Sequence, residues 1–182
     1  LAAGADGLVL LSAGAGGQTG WLNGMAFVRA LRQEYDGPIV LAGGISDGVA
    51  LRAAQVLGCD LAYMGTRFIA TRESNAQEAY KQMLVDAAAA DIVYTDAVSG
   101  TNANFLWPSL ERLGHRREEL VQGVGKGKLK ALADEAKAWR DVWSAGHGVA
   151  NIHDIPSVHE LCARLAAEYH AACALPPSPA VC

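Results

Sequence analysis

Three short apolar runs, each followed at once by a glycine-bearing turn, restrict what this chain can fold into. They are Gly7-Leu8-Val9-Leu10-Leu11, Pro38-Ile39-Val40-Leu41-Ala42 and Leu61-Ala62-Tyr63-Met64. Each is unbroken rather than alternating, the pattern of a strand covered on both faces. Between the first two, residues 25–34 place Phe27, Val28 and Leu31 on one helical face and Arg29, Arg32 and Gln33 largely on the other. Between the second and third, Asp47 is suited to cap a helix over residues 49–57 and Gly58 to end it. Ala3-Gly4-Ala5-Asp6 before the first run resembles Leu57-Gly58-Cys59-Asp60 before the third, so the β-α repeat is visible in the sequence itself. Strands and helices alternating through short connections require parallel strands joined by right-handed crossovers.

The turns point to the chemistry. They read Ser12-Ala13-Gly14-Ala15-Gly16-Gly17-Gln18-Thr19-Gly20, Ala42-Gly43-Gly44-Ile45-Ser46-Asp47-Gly48 and Met64-Gly65-Thr66-Arg67-Phe68. Glycine lets backbone approach a ligand closely, and clustered N–H groups can surround a phosphate. Ligands of parallel α/β folds sit beyond the carboxyl ends of the strands, where all three turns fall. The series therefore suggests a phosphate-bearing cofactor at one end of a parallel sheet.

After Phe68 the pattern turns helical over residues 73–90, with no further clear buried strand of this kind. TIM barrels often build their phosphate site from the loops after strands seven and eight. That rule assigns the Ala42 and Gly65 turns to those two strands and the first run to strand six. A complete barrel takes about 250 residues, so the 182 residues here are expected to be the carboxyl-terminal part of a larger protein. The expected fold is α/β: a partial TIM (β/α)8 barrel contributing its last three βα units in residues 1–90. A mainly helical region over 91–174, packed on or covering the barrel, and a flexible tail over 175–182 follow. Ser157 is suited to cap a final helix over 158–172, and Leu129, Leu132, Ala136 and Trp139 recur at helical spacing within 128–143.

Composition narrows the partners. A formal net charge of −4 with 51% apolar residues favours neither disorder nor a nucleic-acid partner. No apolar run reaches the roughly 18 residues of a membrane span. The four cysteines lack metal or redox spacing and read as thiols of a cytoplasmic protein. His153, His159 and His170 show no zinc pattern. Gly123-Val124-Gly125-Lys126-Gly127-Lys128 lacks the spacing and the Ser or Thr of a phosphate loop and reads as a basic turn.

Gly-Gly-Gln at 16–18, Leu-Ala-Gly-Gly-Ile-Ser-Asp-Gly at 41–48 and Tyr-Met-Gly-Thr-Arg-Phe-Ile-Ala-Thr at 63–71 resemble the nitronate monooxygenases, formerly 2-nitropropane dioxygenases. The likeness covers residues 4–86 closely and continues loosely through 95–102 and 143–148. It implies an FMN-dependent TIM-barrel oxidoreductase in which a nitronate and O2 yield a carbonyl compound and nitrite. It also implies that the amides of Gly43, Gly44, Gly65 and Thr66, with the Thr66 hydroxyl, hold the FMN phosphate, and that Gly16 and Gly17 lie beside the flavin. A small-molecule substrate (nitronate or nitroalkane) and O2 are the implied partners, with no nucleic acid and no membrane; a homo-oligomer stays open. Related barrels also host NAD(P)H:quinone and enoyl-thioester reductases, and a non-catalytic phosphate-ligand-binding fragment is the reading outside enzymes.

One position departs from the resemblance. Many nitronate monooxygenases carry Gly-Gly-His in the first turn, the histidine taking the α-proton of a nitroalkane; this chain has Gln18. A neutral amide orients a substrate through hydrogen bonds but takes no proton near pH 7. Gln18 therefore contacts substrate or flavin, or is structural. His147, in Ser144-Ala145-Gly146-His147-Gly148, is either a replacement base or an exposed loop histidine. Arg67 either offsets phosphate charge or pairs with a carboxylate such as Glu73. Asn102, Asn104 and Trp107 are expected in a loop over the pocket.

Overall fold

The computed structural model describes residues 4–121 and 141–175. The basic turn at 123–128 and most of the helix expected over 128–143 lie outside them, as does all of the tail beyond Leu175. Strands β1 (Leu8–Leu11), β3 (Ile39–Ala42) and β4 (Leu61–Tyr63) form a parallel sheet in the order β1-β3-β4. Helices α1 (Gly24–Leu31) and α2 (Gly48–Leu57) connect them. As the sequence predicts, Asp47 caps α2, its side chain accepting from Ala50 N, and Gly58 ends the helix in the left-handed region at φ 111°. Asn23 caps α1 through Met25 N.

Both helices lie on one face of this sheet. Val28 of α1 and Ala54 of α2 pack with Leu10, Ile39, Leu41 and Cys59 in a single cluster. The opposite face is open: Val9, Leu11, Leu61 and Tyr63 are exposed. The unbroken apolar runs predict strands covered on both faces, and these residues supply only one cover. Strands following one another in spatial order, with helices on one side, build singly wound sheets; doubly wound sheets carry helices on both faces.

Among the described residues after 90, a sheet joins the expected helices. Strand β5 (Ile92–Thr95) pairs antiparallel with β6 (Ala103–Leu106), and β6 pairs antiparallel with the two-residue β2 (Gly17–Gln18). All four β6 residues are buried, Asn104 among them. A polar residue inside a four-residue run hides the strand from a hydrophobic pattern. It is tolerated because its Nδ2 donates to Ala13 O and Ala15 O at 2.8 and 2.7 Å. Asn104 and Trp107 therefore belong to packed structure rather than to a loop over a pocket: Trp107 opens α5 (Trp107–Glu111) and packs on the cluster around Phe105.

The helix expected over 73–90 shortens to α4 (Glu78–Asp86), and Glu73 lies outside it, its carboxylate accepting from Val158 N. Between β4 and α4 lies α3 (Thr66–Ile69), and α6 (Arg117–Val121) follows α5. The final helix, α7 (Val158–Ala174), begins at Ser157, whose side chain accepts from Glu160 N in a capping box. It crosses α2 closely enough that a Cβ on Gly48 would meet Leu165 O and Glu168 Cβ. Among the described residues no helix is long and apolar enough to cross a membrane.

Candidate functional site

The three glycine turns meet at one place, fastened by backbone groups. Ser12, at the end of β1, donates both its amide (3.0 Å) and its buried hydroxyl (2.9 Å) to Ala42 O, joining the first turn to the second. Gly14 O accepts Gly44 N at 3.1 Å and His147 N at 3.0 Å. Side chains would not fit here. A Cβ on Gly16 would lie 2.8 Å from Gly146 N, and one on Gly43, whose φ is 121°, would lie 2.7 Å from Ala15 N.

A fourth segment, Ser144 to Gly148, closes against these turns. Gly146 N donates to Thr66 Oγ1 at 2.9 Å, and Ser144 bridges to Phe105 of β6. Tyr80 O–H donates to Ser144 O. The Tyr80 ring stacks on Trp143 at 4.9 Å, and the Arg112 guanidinium lies 4.1 Å from the centre of the Trp143 ring. Burial pushes the Tyr80 phenol above its usual range, against the pull of its bond to Ser144, which keeps it a neutral donor.

Between the four segments lies a cavity of about 130 Å³ whose walls include Gly14, Gly16, Gly43, Gly44, Gly65 and Thr66. Five of the residues expected to touch a cofactor are thus together: Gly16, Gly43, Gly44, Gly65 and Thr66. Gly17 and Gln18 do not line it. They sit on β2, opposite Asn104 and Ala103, with Gln18 exposed. His147 is also exposed and contributes its amide, while Gly146 and Gly148 beside it line the wall.

Donor supply is narrower than the motifs suggest. Gly44 N–H is already engaged with Gly14 O. The N-terminus of α2 is occupied by two carboxylates, Asp47 on Ala50 N at 2.7 Å and Glu168 on Gly48 N at 2.8 Å. No side chain caps α3; Phe68 N and Ile69 N donate to Gly65 O, which leaves the amides of Thr66 and Arg67 without an intrahelical partner. Arg67 lines the cavity but is only 3% exposed, and its charge is committed to Asp154 Oδ1 at 2.8 Å. Of the two readings of Arg67 the carboxylate holds, with Asp154 in place of Glu73. Arg164 of α7 grips the same carboxylate with both nitrogens at 3.0 and 2.6 Å. Those bonds first, and Arg67 with them, hold Asp154 below the usual carboxylate range despite some desolvation.

Sequence reasoning missed Ser12, Tyr80 and Asp154, and expected Asn104 in a loop rather than on a strand. Only Ser12, directly ahead of a glycine turn, carried a local signal; the others act across 64 to 91 positions of sequence.

The nitronate monooxygenase family profile matches residues 1–168. The chain belongs to that family. A nitronate monooxygenase of Paraburkholderia phytofirmans is 33% identical over an alignment covering 92% of this chain and 50% of the relative. One from Pseudomonas aeruginosa is 39% identical over 58% of this chain and 32% of the relative. Among solved structures, FabK from Thermotoga maritima superposes with a TM-score of 0.74 at 28% identity, covering 93% of this chain and 56% of that one. Nitroalkane oxidase from Streptomyces ansochromogenes superposes with a TM-score of 0.73 at 27% identity, covering 94% of this chain and 53% of that one. The chain spans about half the length or less of the relatives and structures it matches.

Proposed function

We propose that the chain supplies the phosphate-binding part of an FMN-dependent nitronate monooxygenase, as the last three βα units of a TIM barrel. The observation that carries this is the convergence of three strand-end glycine turns and the Ser144–Gly148 segment on one cavity. Helices on one sheet face and an open apolar face on the other support the barrel reading.

The residues present fit a phosphate. The cavity is walled by glycine backbone that any Cβ would crowd at Gly14, Gly16 and Gly43, and the Thr66 hydroxyl with the amides of Thr66 and Arg67 are donors available to it. At about 130 Å³ it is smaller than the roughly 300–1,000 Å³ of a drug-sized ligand site. It suits the phosphate end of FMN, with the rest of the cofactor held by chain beyond these residues. FMN, when bound, would supply the redox chemistry; the turns would fix its phosphate, and the backbone ties between them hold the turns in place.

Gln18 determines the form of substrate. Held on β2 beside the glycine turn, it offers hydrogen bonds and no base. The substrate is therefore the preformed nitronate anion, with Gln18 orienting it. The test compares aerobic nitrite release by the complete protein from a nitronate and from its neutral nitroalkane. We expect turnover of the nitronate at least about 100-fold faster, since positioned general-base catalysis is worth about 10²–10⁴, and gain of nitroalkane activity in Gln18→His. Equal rates on the two forms would show that another base operates. NAD(P)H oxidation with a quinone, in place of nitrite release, would make the protein a reductase.

A further inference from the structure

Thr66 has two jobs at one oxygen. A hydroxyl has one hydrogen to donate and two lone pairs to accept with. One lone pair is taken by the N–H of buried Gly146 at 2.9 Å. The hydroxyl hydrogen has no acceptor in the described structure, while Thr66 and Gly146 both line the cavity. The Ser144–Gly148 segment can adopt this placement because Gly16 and Gly146 lack side chains: a Cβ on Gly16 would lie 2.8 Å from Gly146 N, and one on Gly146 would lie against Gly14 O.

We infer that Thr66 is a positioning residue that couples phosphate occupancy of the cavity to the placement of the Ser144–Gly148 segment. When its O–H donates to a phosphate oxygen, its own oxygen becomes a stronger acceptor for Gly146 N–H. Linkage makes the effect reciprocal: whatever factor the phosphate adds to the closure of the segment, closure adds to phosphate affinity. His147 rides on the same segment but donates its amide to Gly14 O, so it is set in place by the same event without sharing the bond. The inference rests on the FMN reading only for what carries the phosphate.

The experiment is amide hydrogen exchange by NMR at Gly146 and His147 in the complete protein, with no ligand, inorganic phosphate, riboflavin or FMN. Without ligand, Thr66→Val should speed exchange at Gly146 about tenfold, the worth of one net hydrogen bond, and change His147 far less. Thr66→Ser, which keeps the hydroxyl, should restore protection. Inorganic phosphate and FMN should slow Gly146 exchange in the native protein and in Thr66→Ser but not in Thr66→Val; riboflavin, lacking the phosphate, should not. Unchanged Gly146 exchange in Thr66→Val, or equal protection by phosphate and FMN in that variant, overturns the coupling. So does the absence of protection by either phosphate source in the native protein. If FMN does not bind but inorganic phosphate protects Gly146 through Thr66, the coupling stands and the FMN reading falls.

Discussion

In the parallel sheet Val9, Leu11, Leu61 and Tyr63 are 55%, 47%, 62% and 63% exposed, whereas in the antiparallel sheet every residue of β6 is buried, Phe105 at 2%. The contrast reflects how each sheet is completed. Antiparallel strands joined by a short connection close locally, and β5–β6 finds its third strand in β2 and its cover in α5 and α6. Parallel strands depend on crossover units, and among the described residues the face of Val9, Leu11, Leu61 and Tyr63 stays open. The two sheets then meet at the glycine turn that carries Gln18: one sheet delivers the turn, and the other clamps it.

The largest test of this contrast sets a residue from each sheet side by side in the complete protein. Phe105→Ala should cost about 3–5 kcal/mol of unfolding free energy in denaturant titrations. Leu61→Ala should also cost about 2–4 kcal/mol, because a barrel interior would bury it. A loss at Leu61 under about 0.5 kcal/mol, the range of exposed positions, would mean the open face stays open and would sink the barrel reading.

The seam between the sheets is the next place to press. Asn104 donates to two carbonyls of the first turn, the partly buried Ala13 O and the buried Ala15 O, while its own Oδ1 is buried without a partner among the described residues. Asn104→Leu should cost about 2 kcal/mol, the two orphaned carbonyls outweighing relief of the unpaired oxygen. Its signature is local: Gly16–Thr19 amides should exchange faster while Leu10 and Ile39 keep their protection. Loss of protection throughout the parallel sheet would show that the two halves unfold as one unit.

How much of this was legible in the sequence follows the same division. The parallel half was readable because its signals are local: unbroken apolar runs, Asp47 as a cap, Gly58 as a stop, glycine at strand ends. The antiparallel half was not. Strand β6 is Ala-Asn-Phe-Leu, and nothing nearby says that Asn104 will be satisfied by carbonyls 89 and 91 positions away. The cavity residues were legible as motifs, but not which donors are already engaged. That Gly44 N–H serves Gly14, that Thr66 Oγ1 serves Gly146 and that Arg67 serves Asp154 depend on tertiary approach alone.

The smallest expected effect concerns Asp154, which ties α3, at the end of the parallel half, to α7 through Arg67 and Arg164. Asp154→Asn keeps an acceptor for Arg67 and removes the charge, so the cost near neutral pH should be about 1 kcal/mol, the gap between a charged and a neutral hydrogen bond. Its pH dependence identifies the cause. The Asp154 carboxyl is held below the usual carboxylate range, so the folded chain takes up its proton less readily than the unfolded one. The stabilisation is therefore complete above about pH 4, the unperturbed value, and is lost as pH falls through the lower folded value. Asp60, held down by Ile39 N–H and Arg32, and Glu160, held down by Ser157, shift the same way. Acid should thus weaken the native protein at all three sites and Asp154→Asn at only two, so the gap between the two proteins should close as pH falls. A gap of constant size down to about pH 2 would mean that the asparagine packs badly, and the charge tie between the parallel half and α7 would contribute nothing.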